Sequence, residues 1–181
     1  WPGVSVIYVC PIKALLNNLE QRLSHYAGLV GRRVAVWHGD VSQSQKGHAL
    51  KDAPDVLLTT PESLEGMLVS TRINRMVWFG NLRVVIADEL HAFAADDRGW
   101  HMRAVLHRLQ QYAPHPMQRL GLSATVSNPE QLLNWFAPTG PKLVVGTASV
   151  STEADVTIDY VGSLANAGTV IARLYRGSKR L

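Results

Sequence analysis

Two adjacent carboxylates, Asp88 and Glu89, stand directly behind the aliphatic run Val84–Ala87. This arrangement suits the hydrolysis of a nucleoside triphosphate, because one carboxylate can hold Mg²⁺ through water while its neighbour polarises the attacking water. A solvated acidic turn that closes a strand is the alternative interpretation of the same residues. The pair is the strongest chemical signal in the chain.

Two proline-containing segments predict junctions between a strand and a helix. Pro11 and Lys13 follow one apolar run, and Thr59-Thr60-Pro61-Glu62 follows another. A helix N-terminus attracts phosphate through its free N–H groups and its positive dipole end. Lys13 and the Thr60 hydroxyl would add phosphate contacts that position a strand without reading its sequence. Taken singly, each segment is also explained by a proline that starts a helix and by a solvated lysine.

A pair of hydroxyl side chains, Ser123 and Thr125, lies behind the short apolar run Leu120–Leu122. Hydroxyls at the end of one strand can hydrogen-bond carboxylates at the end of the neighbouring strand. The alternative is a simple capping turn before a helix that begins at Pro129, with Asn128 as its N-cap.

The order of the apolar patterns predicts an α/β fold. Short β-branched runs alternate with helical patterns, which is typical of βαβ units and of a parallel sheet covered by helices on both faces. Ligands of such sheets bind beyond the carboxyl ends of the strands, where the polar clusters are expected. The predicted strands are Val4–Val9, Val34–Trp37, Val56–Thr59, Val84–Ala87, Leu120–Leu122 and Leu143–Val145, with a further strand over 155–162. The predicted helices include 13–27, whose apolar stripe is Leu16, Leu19, Leu23 and Tyr26, a helix with the stripe Met102, Val105, Leu106 and Leu109, Pro129–Phe136 and 166–175.

Composition excludes several classes of protein. The 181 residues are 46% hydrophobic and 18% charged, which excludes a disordered chain and suits one domain and a little more. No apolar run is long enough to span a bilayer, and no signal peptide is recognisable. A single cysteine, Cys10, excludes an internal disulfide and a multi-cysteine zinc site, and it predicts a small packed residue. We therefore expect a cytoplasmic protein with no membrane partner.

The net charge of +4 does not by itself predict a nucleic-acid partner. Four of the eighteen basic residues lie in the last nine positions, and the rest of the chain has as many acidic as basic residues. The tryptophans could stack on bases, but dispersed aromatics are more often core residues. Apart from Trp1, they are Trp37, Trp78, Trp100 and Trp135.

Read in order, P-x-K-A-L, T-T-P-E-S-L, D-E-L-H and S-A-T resemble motifs Ia, Ib, II and III of superfamily 2 helicases. The resemblance runs from about Val6 to Phe136 and is most specific to the Lhr (large helicase-related) group. Asp96-Asp97-Arg98-Gly99 is similar to the arginine–glycine loop of that group. His38-Gly39-Asp40 resembles the loop that touches the nucleic-acid backbone, although a plain polar turn explains it equally well.

The resemblance implies a RecA-like domain, ATP and Mg²⁺ as cofactors, and single-stranded DNA or RNA and DNA or DNA–RNA duplexes as partners. It implies 3′-to-5′ translocation with unwinding. Asp88 and Glu89 would serve Mg·ATP, Ser123 and Thr125 would relay the nucleotide state, and His91 would bridge motif II to motif III or to a second domain. The implied nucleic-acid contacts are Pro11, Lys13, His38, Gly39, Thr59, Thr60, Pro61, Glu62 and Arg98.

The sequence lacks the phosphate-binding loop that is typical of the family. No G-x-x-x-x-G-K-[ST] sequence occurs, and motifs IV to VI of a second RecA-like domain are also missing. We therefore expect a piece of a longer protein, with 1–150 as a partial first RecA-like domain and 151–181 as a linker and the start of the second. Two alternatives stay open: a double-stranded DNA translocase subunit of a restriction or defence complex, and a catalytically inactive nucleic-acid-binding scaffold.

Overall fold

A computed structural model describes residues 2–94, 96–124 and 126–146. The chain divides into two compact units, Trp1–Val144 and Val145–Leu181. Nearly all of the second unit lies outside the described residues, as do the strand predicted over 155–162, the helix predicted over 166–175 and the domain boundary predicted at 150. Within the described part, no helix is long and apolar enough to cross a membrane.

Five parallel strands form one sheet in the order β2-β3-β1-β4-β5. They are β1 (Val6–Val9), β2 (Val34–Trp37), β3 (Val56–Thr59), β4 (Val84–Ala87) and β5 (Gln118–Gly121). The last residues of neighbouring strands are in register, so Val9 pairs with both Thr59 and Ala87. This register brings the segments that follow all five strands to one edge of the sheet, as the parallel arrangement predicts.

Seven helices surround this sheet among the described residues. They are α1 (Lys13–Leu29), α2 (Gln43–Lys51), α3 (Pro61–Val69), α4 (Arg75–Phe79), α5 (Leu90–Ala94), α6 (Asp97–Gln110) and α7 (Pro129–Phe136). Asn128 caps α7, because its side-chain oxygen accepts a hydrogen bond from the backbone N–H of Gln131 at 3.1 Å. The helix start and the cap predicted there are confirmed.

The sheet is covered on both faces because alternate strand residues point to opposite sides. Tyr8, together with Val36 and Leu58, packs against Leu16 of α1 on one face. On the other face, Ile7 and Val9 join Leu57, Val85 and Ala87 in a larger cluster with apolar residues from helices that include α3, α6 and α7. The predicted fold class, an α/β parallel sheet with helices on both faces, is confirmed.

Several predicted boundaries are wrong. The first strand begins at Val6 rather than Val4, and residues 143–145, predicted as a strand, belong to no strand or helix. Leu143 and Val145 are 80% and 86% exposed, because an apolar run becomes a strand only when it pairs with a neighbour and packs on a core. Tyr26, placed on the buried stripe of α1, is also exposed. Three helices, α2, α4 and α5, were not predicted.

Candidate functional site

The carboxylate of Asp88 is held in place by two hydrogen bonds. The hydroxyl of Tyr8 donates to Oδ2 at 2.7 Å, and the backbone N–H of Glu89 donates to Oδ1 at 2.9 Å. The backbone N–H of Asp88 donates to the carbonyl of Val9 at 2.8 Å, which ties the end of β4 to the end of β1. Asp88 is therefore a half-buried anion with a set position and with acceptor capacity left over.

Tyr8 was missed by the sequence reasoning. It lies 80 residues before Asp88, and only the register of β1 with β4 brings the two together. Burial raises the pKa of Tyr8, and the hydrogen bond to the Asp88 carboxylate raises it further. The tyrosine therefore keeps its proton and acts as a donor.

Glu89 has a backbone conformation that is unusual for a residue with a side chain. Its φ of 48° lies in the left-handed region, the only such non-glycine φ among the described residues. Strained backbone of this kind persists where the surroundings fix it, and it clusters at functional sites. The Glu89 carboxylate lies 3.4 Å from Nδ1 of His91, and both side chains are partly exposed.

His91 joins the acidic segment to the end of β5. Its Nδ1 lies 2.8 Å from the hydroxyl oxygen of Ser123, and the backbone N–H of Leu90 donates to the carbonyl of Leu122 at 2.8 Å. The contact of Ser123 is thus with His91, whereas a direct bond to a carboxylate was the sequence-based expectation. Thr125 lies outside the described residues.

Lys13 is paired rather than free. Its Nζ lies 3.0 Å from both carboxylate oxygens of Asp40, so the segment after β1 meets the loop after β2. The hydrogen bond from Lys13 lowers the pKa of Asp40. Both side chains are about half exposed or more, at 47% and 69%, which leaves the ammonium open to a competing anion.

His38 is buried, unlike the rest of its loop. Its Nε2 lies 3.0 Å from the Asn17 side-chain oxygen, and its Nδ1 accepts a hydrogen bond from the backbone N–H of Asp40 at 3.3 Å. Burial lowers the pKa of His38, which favours the neutral ring. The geometry suits a residue that shapes the turn at Gly39, and a direct nucleic-acid contact by His38 stays a prediction.

The threonines after β3 use their hydroxyls inside the protein. The Thr59 hydroxyl donates to the carbonyl of Trp37 at 2.7 Å. The Thr60 oxygen accepts from the backbone N–H of Ser63 at 3.3 Å, so Thr60 is the N-cap of α3, with Pro61 in the first turn. The predicted helix start is confirmed, while a phosphate contact at this terminus stays a prediction.

Arg98 connects three of the predicted segments. Its Nε donates to Oε1 of Glu62 at 2.7 Å, and its Nη2 donates to the carbonyl of Pro11 at 3.2 Å. Burial alone would raise the pKa of Glu62, but the hydrogen bonds that its carboxylate accepts from Arg98, the backbone and Thr60, together with the Arg98 charge, outweigh burial and lower the pKa. The following residue must be glycine, because a Cβ at Gly99 would collide with the carbonyl of Phe93.

The donor set at the end of β4 fits a hydrated magnesium ion. Mg²⁺ usually keeps several waters and takes only one or two protein carboxylates together with substrate phosphates. Asp88 supplies one such carboxylate, and the described residues contain no group of three or more metal-ligating side chains that would form a complete protein cage.

The architecture and these motifs define a RecA-like helicase domain, and comparison with known proteins agrees. The family model for DEAD/DEAH box helicases matches residues 1–132. An Mss116 DEAD-box helicase structure, 17% identical, shares the fold with a TM-score of 0.65 over 74% of this chain and 28% of its own.

Similarity is higher to Lhr helicases. The chain is 37% identical to "Lhr helicase/probable uracil glycosylase" of Mycolicibacterium smegmatis over 79% of this chain and 10% of that protein. It is 36% identical to "ATP-dependent helicase Lhr-Core" of Methanothermobacter thermautotrophicus over 74% of this chain and 16% of that protein. The structure of Mycobacterium smegmatis helicase Lhr bound to ssDNA and AMP-PNP has a TM-score of 0.70 and 38% identity over 80% of this chain and 20% of that one. The chain belongs to the DEAD/DEAH box helicase family and is similar to Lhr helicases over most of its length.

Proposed function

We propose that this chain forms the hydrolytic and strand-binding part of an ATP-dependent helicase that couples ATP hydrolysis to translocation and unwinding. The observation that carries the proposal is the Asp88 carboxylate, fixed by Tyr8 at the carboxyl end of β4 and followed at once by Glu89. One similar structure, an Lhr helicase that matches 80% of this chain, is described as bound to ssDNA and AMP-PNP.

In this proposal Asp88 would hold Mg²⁺ through water, and the bound ion would supply positive charge beside the phosphates. Glu89 orients and polarises the attacking water. The His91–Ser123 contact supports a link between the hydrolytic pair and the segment after β5. Ser123, with Thr125 beyond it, would relay the nucleotide state along that link.

The strand-binding surface is proposed at the same edge of the sheet, one or two strands away. Lys13 and the N-terminus of α3 supply positive charge and N–H groups for phosphates. Arg98 holds Pro11 and Glu62 in place, which supports a role in keeping the two phosphate-binding segments at a set distance. Single-stranded DNA or RNA is the proposed partner, with duplexes as the substrate for unwinding.

The remaining helicase machinery is proposed to come from elsewhere in a longer protein. The chain spans 10% and 16% of the first two curated relatives. Among the described residues, β5 pairs only with β4, and Leu120 within β5 is 39% exposed. We propose that residues 1–150 are a partial first RecA-like domain, completed by a segment that carries the phosphate-binding loop. Residues 151–181 would lead into the second domain, and the whole protein would work in the cytoplasm.

The experiment is an ATPase and nucleotide-binding assay of the longer protein. Glu89→Gln should leave ATP binding nearly unchanged while turnover falls at least about 10²-fold, the scale of lost general-base catalysis. Asp88→Asn should instead weaken Mg·ATP binding. Glu130→Gln, an exposed glutamate on α7, is the matched control and should behave like the wild type.

If both the Asp88 and the Glu89 variant hydrolyse ATP as fast as the wild type, the two carboxylates are only a solvated turn. That result would favour the inactive scaffold. ATP consumption on duplex DNA without strand separation would favour the translocase. The same preparations can be scored for both outcomes.

A further inference from the structure

A small cleft between α2 and α3 opens at the edge of the sheet where the strands end. Its volume is about 240 Å³, below the range of about 300–1,000 Å³ that is typical of pockets for drug-sized ligands. We propose that this cleft binds one nucleobase of the single strand, an inference that rests on the proposed function. Its lining includes Trp37, Gly39, Lys46, Ser63, Gly66, Met67 and Ile73.

One wall of the cleft is an aromatic ring held in place from behind. Trp37 ends β2 and packs edge-on against buried Trp78, with ring centroids 5.7 Å apart and an interplanar angle of 77°. The ammonium of Lys46 lies 5.9 Å from the Trp37 ring centroid and 3.3 Å from the carbonyl of Gly39. The ammonium lies over the ring, so a planar base would stack on Trp37 as Lys46 turns aside to the phosphate of the same nucleotide.

The rest of the lining offers an apolar floor and polar edges. Met67 and Ile73 are buried at 1% and 3% exposure. Ser63 accepts a hydrogen bond from the Thr60 hydroxyl at 3.1 Å, which leaves its own hydroxyl proton for a ligand. This combination of aromatic and apolar surfaces with few polar groups is the usual chemistry of a small-ligand pocket.

The position of the cleft favours a base of the bound strand over the base of ATP. Gly39 lies next to Asp40, the partner of Lys13, and Ser63 lies in the first turn of α3. The cleft therefore opens between the two segments that are proposed to hold phosphates. The hydrolytic pair, in contrast, follows β4, which β1 separates from β3 in the sheet.

The sharpest variant fills the cleft without disturbing the core. Gly66 lines the cleft on α3, and a Cβ placed there meets no atom within 4 Å. Leucine is also a better helix former than glycine, so Gly66→Leu should fold. Gly47→Leu is the matched control, because Gly47 lies within α2, has equally open space and does not line the cleft.

The measurement compares two fluorescent single-stranded DNA probes of equal length and charge, one with bases and one abasic, on the 181-residue chain at low salt. The wild type should bind the base-bearing probe about 5- to 150-fold more tightly, the scale of one stacked base. Gly66→Leu should remove that preference and leave abasic binding unchanged, while Gly47→Leu should keep it. Trp37→Phe should retain most of the preference that Trp37→Ala loses, with unfolding midpoints checking the packing on Trp78.

Equal binding of both probes by the wild type would overturn the base site and leave the proposed phosphate contacts intact. A preference that survives in Gly66→Leu would also overturn it, since the base would then bind elsewhere. Failure of the wild type to bind either probe would instead count against the proposed strand binding, and this inference would fall with it.

Discussion

At the scale of single residues, the site depends on how one carboxylate is held. Tyr8 and the backbone of Glu89 each donate to a different oxygen of Asp88, so the side chain has little freedom to rotate. A fixed carboxylate costs less reorganisation when it receives a hydrated ion. Tyr8 is therefore a positioning residue for Asp88.

Removing the Tyr8 hydroxyl should weaken the fold measurably. Tyr8→Phe should lower the free energy of unfolding by about 1 kcal/mol, because hydrogen bonds to charged groups are worth slightly more than that and Asp88 is partly solvated. Urea unfolding of the 181-residue chain measures the change. Tyr26→Phe is the matched control, since the Tyr26 side chain is 62% exposed.

The same pair of variants should differ in alkaline solution. Since the pKa of Tyr8 is raised in the folded protein, the folded state holds this proton more tightly than the unfolded chain. The stabilisation that this proton provides is fully present below about pH 10 and is lost as the pH rises further. The free energy of unfolding should fall above about pH 10 in the wild type and in Tyr26→Phe, whereas Tyr8→Phe should lack the part of the fall that Tyr8 causes. Equal slopes of this free energy against pH in all three proteins would contradict the proposed role of the Tyr8 proton.

At the scale of elements, ion pairs connect segments that follow different strands of the sheet. Lys13 after β1 pairs with Asp40 after β2, and Arg98 at the start of α6 reaches both Glu62 on α3 and the carbonyl of Pro11. These exposed pairs add little stability. Their value lies in the arrangement of charges that they present along one edge of the sheet.

Lys13 and Asp40 should have opposite effects on strand binding. Lys13→Ala should weaken binding to single-stranded DNA and make the salt dependence shallower by about 0.7 in the slope of log K against log salt, the contribution of one phosphate contact. Asp40→Asn should strengthen binding, because it frees the ammonium and removes an anion. Binding titrations at several salt concentrations test both changes.

Lys51→Ala provides the matched control for this experiment, since Lys51 is an exposed lysine at the end of α2. It should leave affinity and slope close to the wild type. A Lys13→Ala slope equal to that of Lys51→Ala would show that Lys13 contacts no phosphate.

At the scale of the whole molecule, the 181 residues contain the motifs that follow the strands but no recognisable phosphate-binding loop. Phosphoryl transfer depends on positioning and charge neutralisation, which that loop and an arginine finger normally supply. In the proposed function, Asp88 and Glu89 would hold Mg²⁺ through water and orient the attacking water, but these two side chains alone would not hold the triphosphate.

The 181-residue chain should accordingly hydrolyse ATP no faster than its own Glu89→Ala variant, with or without single-stranded DNA. A phosphate-release assay that includes the longer protein as a positive control measures this. Strand-stimulated turnover by the wild-type chain above the Glu89→Ala background would contradict the need for the missing loop.

Local chemistry in the sequence was enough to predict much of the fold. The strands Val34–Trp37, Val56–Thr59 and Val84–Ala87 were predicted with correct bounds, because β-branched runs and the turns that end them are local signals. The capping box of Ser42 with Gln45 is an equally local signal that would have revealed α2. Parallel pairing then made it predictable that the polar clusters would lie at one edge.

Only the tertiary structure decided which side chains meet at that edge. The order β2-β3-β1-β4-β5 and its register set Tyr8 against Asp88 and Arg98 against Glu62, across 80 and 36 residues of sequence. The same packing exposes Tyr26 and leaves residues 143–145 outside any strand. Strand order and register result from the burial of both faces of the sheet at once, a condition that no local pattern contains.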